Sequence, residues 1–526
     1  MTGVLTALER AVSRPLGMLA LFASALVVYA VRAIGWPLTA GRDLDEYVYA
    51  YLQLFDGDPL LPWSLLFRTP VTPVVAGVSL DVLDGALVEP LLAVLYAGSV
   101  VAWSAAARHF GPWTALAVAA ALLVYPAYGL LFHELSSEPL FAAGFALWAL
   151  LLVRAAAQPS AGRFAAAGAG VALVALIRPG NAVLLVFALF PLALAGPLRS
   201  RTVWAGAFAA AALLPLAGWT AHNGVRYDEY ALARGGNAVI PFYRAFITDR
   251  IVSPENGAAS RRLAEAVETH LVTREPYRSY DVTVDEVFAS GSFRIHEDFY
   301  LLSDQVFGWD TDYSVLRDAG VEAVRAEPAK YASGVVETVW LQLSESLFRS
   351  SDEGTEAGSA ATAAGGADLP EPTEGEPIPG GQVVWISRPD NAIKQVWTSP
   401  TEFRFSFAEP SMRPRFEEIV RRREELFGAL PDRTGNAELE LRLNQLSRWF
   451  PRPVLWIALG LVAIALRRPR GSRTLVGLSS AAFLVVALNA LGLFADRHFV
   501  LPVAPAFVLL GLAGLLGSRD EEQRAA

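Results

Sequence analysis

The chain contains no cysteine, which excludes a disulfide framework, a thiolate metal site and a cysteine nucleophile. Charge is scarce as well: Asp, Glu, Lys and Arg make up 18% of the 526 residues, against 53% that are hydrophobic. There is no Ser/His/Asp arrangement with usable spacing, no glycine-rich phosphate loop and no HExxH, so hydrolase, nucleotide-binding and zincin chemistry have no motif to rest on. No repeat of fixed period stands out. The few charges are unevenly placed, because residues 221–450 hold 37 of the 52 acidic residues but only 24 of the 43 basic ones. An acidic region of that size argues against nucleic acid as a partner. The remainder is slightly basic, as short cytoplasmic loops are.

What the chain has instead is apolar runs, and its positive mean hydropathy of +0.37 puts it in the membrane class. Runs fall at 16–31, 91–107, 113–131, 135–153, 164–177, 182–198, 203–220, 449–466, 475–494 and 499–516. The first, behind Arg10 and Arg14, has the weak cleavage pattern Ala30/Ala33 of a signal peptide, yet the spans that follow favour an uncleaved first span. Several runs are shorter than the roughly 20 residues a crossing needs, so the expectation is an all-α polytopic membrane protein of about 10–12 transmembrane helices.

Simple alternation puts Arg10/Arg14, Arg108, Arg154/Arg163, Arg199/Arg201, Arg467/Arg468/Arg470/Arg473 and Arg519 on one side. By the positive-inside rule that side, with both termini, is cytoplasmic. The opposite face then receives Asp43 to Glu46, His133/Glu134, Arg178, residues 221–450 and Asp496/Arg497/His498. The expected organisation is an N-terminal membrane module at 1–220, whose first outer loop (35–85) is aromatic enough to lie in the membrane interface. Behind it come an extracytoplasmic, mainly helical region at 221–349, a disordered acidic linker at 350–381 that lacks aromatics, a second extracytoplasmic stretch at 382–448 and C-terminal membrane helices at 449–526.

The outer face gathers the residues able to do chemistry. Asp43, Asp45 and Glu46 crowd three carboxylates at the end of a span, a costly placement unless water or a polar ligand sits beside them. Sugar transfer from a lipid phosphate would need such a base, with cations on the leaving phosphate, and Arg68, Arg178 and Arg497 are placed to supply the cations. Their plain readings are headgroup snorkelling for Arg68, capping of a short span for Arg178 and a local pair with Asp496 for Arg497. His133, Glu138 and His498 are further pocket candidates; Glu138 is also an ordinary helix-start acid beside Ser136, and His498 an ordinary interface residue. The residues name no certain cofactor, although Asp43 and Asp45 could chelate a divalent cation.

Taken in order, Asp45-Glu46-Tyr47, then Asp56-Gly57-Asp58-Pro59, then Arg68-Thr69-Pro70 resemble the first outer loop of the GT-C fold glycosyltransferases, particularly lipid A aminoarabinose transferases, protein O-mannosyltransferases and related envelope mannosyl- and arabinosyltransferases. Ser137-Glu138-Pro139-Leu140 is similar to the acidic position opening that family's fourth span, Arg178-Pro179 to the Arg-Pro after the fifth, and Arg497-His498-Phe499 with Leu501-Pro502 and Pro505 to the outer entry of a late span. The resemblance covers about residues 1–230 and the last span or two. Glu138 stands where aspartate is common, and Arg68 where some relatives have lysine.

The resemblance implies a GT-C-like bundle in the plasma membrane. It also implies an inverting transfer of sugar from a polyprenyl-phosphate donor to an envelope glycan, lipid or protein acceptor on the outer face. Asp45 would be the base, Glu46 its companion and Arg68 the grip on the carrier phosphate. Two other classes fit an acidic, arginine-lined rim: a transporter or flippase of a lipid-linked solute, and a non-catalytic envelope scaffold. A transporter would carry charges deep in its spans and inverted repeats, and neither is visible.

Overall fold

The computed structural model describes residues 15–41, 43–275, 277–344, 382–385, 392–398, 402–431, 435–447 and 449–518; the expected linker at 350–381 lies outside them. All ten apolar runs are helical. They give α1 (Pro15–Gly35), α5 (Val88–Ala107), the broken pair α6 (Pro112–Val124) and α7 (Pro126–Leu130), α8 (Ser137–Ala157), α9 (Ala161–Ile177), the 3₁₀ segment Pro179–Ala193, α10 (Leu198–Tyr227), α17 (Pro453–Arg467), α18 (Ser472–Gly492) and α19 (Ala504–Leu516). Between α1 and α5 the connection expected to be the first outer loop folds as α2 (Leu44–Gln53), α3 (Pro62–Leu66) and α4 (Val71–Asp81).

The protein is an all-α, multi-pass membrane protein. Among the described residues, five helices are long and apolar enough to cross a membrane, or six if α6 and α7, bent by 67°, count as one span. The four remaining apolar runs form the shorter apolar helices Ala161–Ile177, Pro179–Ala193, Pro453–Arg467 and Ala504–Leu516. Proline sets the break: Pro126 cannot donate to the turn before it, and Tyr125 is extended. Leu16, Val27 and Ile34 on α1 and Leu213 and Leu214 on α10 remain exposed, as side chains facing lipid do.

Helices α5 and α8 are the inner ones, joined through Trp103, Phe145 and Trp148. Gly168 lets α9 run against α10 backbone to backbone: a methyl there would sit 2.1 Å from the Phe208 carbonyl oxygen, the small-residue contact that holds helices where lipid removes the hydrophobic drive.

The polar stretch that follows α10 has its own core. A π-helical run, Val239–Thr248, packs with α11 (Ala258–His270), α12 (Phe293–Val306) and α13 (Ser314–Ala326) around Phe242, Phe246 and Phe299. Buried Arg244 fastens this unit to the bundle. Its guanidinium pairs with Asp249 at 2.9 Å and donates to Thr338 of α14 (Pro328–Ser344) at 3.0 Å and to the carbonyls of Ala490 and Leu493 at 2.7 and 2.9 Å. Those carbonyls end α18 without helical partners, so the cation satisfies groups the helix leaves open.

The stretch 382–448, to which the sequence reading assigned no strands, opens with a small antiparallel meander, β3 (Gln382–Trp385), β4 (Ile393–Trp397) and β5 (Phe403–Phe407). It leads into α15 (Met412–Gly428) and α16 (Ala437–Ser447). Phe416 and Met412 of α15 pack on Leu60 of the first outer loop, fixing this helix over α2 and α4.

Candidate functional site

The site begins where α1 ends. Thr39 and Ala40 form β1, which runs parallel to β2 (Glu134–Leu135), and the Gly41 amide donates to the Leu135 carbonyl at 3.1 Å. Only glycine fits at 41, because a methyl there would lie 2.4 Å from the Ser136 Cβ. Two segments almost a hundred residues apart are thereby stitched together just before each enters its acidic stretch.

Asp43 follows in the left-handed region (φ 61°), which aspartate tolerates, and starts α2. Asp45 and Glu46 occupy the first turn, where the helix dipole favours carboxylates. They diverge around the helix. Asp43 lies 3.5 Å from the Arg68 guanidinium and Glu46 contacts it directly. Burial pushes the Glu46 carboxyl up, and the Arg68 charge only partly offsets it.

Tyr47 carries the array onward. Arg68 stacks over its ring at 5.2 Å, while its buried hydroxyl interacts with Ser137 and feels the Glu138 charge. Glu138 is 3% exposed and lies 3.3 Å from Arg178, which itself stacks over Phe499 at 5.1 Å. Ser136 caps α8 from the Glu138 amide, so the helix start aims this carboxylate inward. Beside Phe499, His498 meets Asp496 at 2.8 Å and Glu134 at 3.4 Å. Burial opposes charge on this imidazole, but the hydrogen bonds to Asp496 and Glu134 and their charges outweigh it, and its pKa is pushed up to about 10.

Asp43, Glu46, Arg68, Glu138, Arg178 and His498 therefore form one continuous array at one rim of the bundle. Asp45 stands apart from it. Its carboxylate, 48% exposed, contacts Arg423 of α15, which also stacks over Tyr49 at 5.5 Å. Asp43 and Asp45 reach different arginines, and among the described residues no group of three or more His, Cys, Asp or Glu is placed to hold a metal ion. His133 is buried against Tyr29, ring centroids 4.2 Å apart, with neither ring nitrogen hydrogen-bonded among the described residues. It packs within the bundle rather than in the array. The side chain of Arg497 lies outside the described residues.

Sequence reading missed two participants. Arg423 belongs to a stripe with Arg415 and Arg422, seven and eight residues apart on one face of α15; Arg415 reaches Asp56 at 2.9 Å and Arg422 reaches Asp81 at 2.8 Å. That spacing is legible in sequence, but its target is not. Glu297 of α12 faces the array from the outer region: burial first, then Asp298 and, less strongly, Glu46 and Asp43 push its carboxyl up.

No family profile and no curated protein sequence matches the chain. Among solved structures, the fold is similar to the archaeal oligosaccharyltransferase AglB from Archaeoglobus fulgidus in complex with an inhibitory peptide and a dolichol-phosphate, at 10% identity and TM-score 0.40 over 95% of this chain and 50% of that one. It is also similar to ArnT from Cupriavidus metallidurans bound to undecaprenyl phosphate, at 13% identity and TM-score 0.31 over 95% of this chain and 78% of that one. The present chain spans half the length of the archaeal protein.

Proposed function

We propose that the protein is a membrane glycosyltransferase that moves a sugar from a polyprenyl-phosphate donor to an envelope acceptor on the outer face of the plasma membrane, with inversion and with both termini cytoplasmic. The observation that carries this reading is the continuous array: two arginines, Arg68 and Arg178, bracket Tyr47 and the buried Glu138 at a rim bordered by lipid-facing helices. A lipid phosphate could enter there from the membrane while its sugar met the aqueous side.

In the proposed step, the acceptor oxygen attacks the anomeric carbon and the bond from that carbon to the phosphate oxygen breaks. The hydroxyl proton passes to a carboxylate, and the carrier phosphate leaves with the bonding pair. Arg68 and Arg178 hold that phosphate, where guanidinium geometry suits two oxygens and permanent charge favours the developing dianion. Asp43 and Glu46 neutralise Arg68, and Asp45, the most exposed carboxylate of the turn, takes the proton once Arg423 releases it and its side chain turns toward the array.

The test is transfer from a polyprenyl-phosphate sugar by detergent-purified protein carrying Asp45→Asn or Arg68→Ala. Loss of turnover in the first variant and a raised donor KM in the second are expected. Full turnover by a folded Asp45→Asn protein would remove Asp45 from the role.

A further inference from the structure

At the opposite ends of the same helices lies a second polar recess. It has a volume of about 640 Å³ and is lined by Met18 of α1, Arg108 and His109 after α5, Val153 and Arg154 of α8, and Arg163 of α9 among others, a size ordinary for a ligand site. Arg154 sits 16 residues along α8 from Glu138, or roughly 24 Å at the helical rise, so this recess is separate from the array on the other rim.

Its charge has one sign. Three arginines, Arg108 just after α5, Arg154 on α8 and Arg163 on α9, converge on it, and among the described residues no Asp or Glu lines it. Arg163 is held across the α8–α9 turn by donating to the Gln158 carbonyl at 2.5 Å. Arg470 adds to the field: burial first, and then its charge, lower the pKa of His109. Arg108, Arg154 and Arg163 are exposed to solvent, as arginines at helix ends are, and they stand around one recess. The remaining wall is apolar, through Met18 and Val153, and α1 beside it exposes Leu16 and Leu19. A ligand lodged here would meet cations at its head and hydrocarbon along its flank.

We propose that this recess binds the phosphate headgroup of an anionic membrane lipid from the leaflet opposite the array. Basic pockets between membrane helices suit such headgroups, with Arg108 and Arg154 as the principal contacts and Arg163 closing over them. The inference does not rest on the proposed transfer reaction.

The full-length protein in detergent would be titrated with phosphatidylglycerol, phosphatidylcholine and inorganic phosphate, following binding by native mass spectrometry and thermal unfolding by tryptophan fluorescence. Phosphatidylglycerol should bind in preference to phosphatidylcholine and raise the unfolding temperature. Arg108→Gln with Arg154→Gln should weaken it about 30-fold, while Arg199→Gln, an exposed arginine outside the recess, should leave it unchanged. Arg108→Lys with Arg154→Lys, which keeps the charge, should retain most of the binding and guards against loss by misfolding. Equal binding of the two lipids, undiminished phosphatidylglycerol binding by the double glutamine variant, or equal stabilisation by inorganic phosphate alone would overturn the lipid site, the last in favour of a soluble anion.

Discussion

Arg423 lies against the carboxylate of Asp45, although 378 positions separate them in the chain. The contact ties the acidic turn that opens α2 to α15, a helix from the far end of the chain's long polar region. It also divides two neighbouring acids, since Glu46 turns the other way to Arg68. Asp45 and Arg423 are both partly exposed, so water screens the pair and it contributes about 0.2–1 kcal/mol. Arg423→Gln should therefore leave folding intact and raise transfer up to about fivefold, because the arginine no longer competes for the carboxylate. Initial rates at saturating donor check this; a fall to the level of Asp45→Asn would instead make Arg423 part of the acceptor site.

Removing Arg68 takes away the cation that Glu46 contacts directly and that lies 3.5 Å from Asp43. Arg68→Ala should cost about 1–3 kcal/mol in stability as well as donor affinity. Adding Glu46→Gln should restore part of the stability but none of the affinity, a split readable by comparing thermal unfolding with donor KM.

His498 supplies a pH dependence whose sign is fixed. Its folded pKa, about 10, lies above the ordinary value of 6.5. The stability it contributes is thus fully present below about pH 6.5 and is lost as pH rises through about 10. Unfolding temperature followed from pH 7 to 10.5 should drop further for the native protein than for His498→Gln; parallel curves would show that the ion pair with Asp496 and Glu134 does not form.

The β1–β2 stitch offers a structural test of the array. Gly41→Ala forces a methyl onto Ser136 and should destabilise by about 1–3 kcal/mol. Because it pries Asp43 and Glu46 away from Glu138, transfer should fall while headgroup binding at the opposite rim is unchanged. Retention of full transfer would show that the two halves need not be held in register.

Much of this was legible in the residues. Apolar runs dictate helices in a membrane because no other backbone arrangement satisfies its own polar groups there, and all ten runs are helical. Length was less legible: where prolines and turns cut a run, as at Pro126, a nominal span became two short helices. Within the acidic turn, the sequence marked Asp43, Asp45 and Glu46 as one group, and the rotation of α2 separated them, since successive residues on a helix point about 100° apart. It marked His133 by its place beside Glu134, yet the short 3₁₀ turn buries that ring against Tyr29.

The sequence by itself determined that this is a helical membrane protein with acids and guanidiniums concentrated in its connecting segments, because hydropathy and charge act on each segment wherever it ends up. Only the tertiary structure decided which acid meets which arginine. Arg68 with Glu46, Arg178 with Glu138 and Arg423 with Asp45 are pairings over 22, 40 and 378 residues. Such pairings depend on helix rotation, close backbone approaches such as Gly41 on Ser136, and the seating of α15 on the first outer loop, none of which leaves a local signal in the chain.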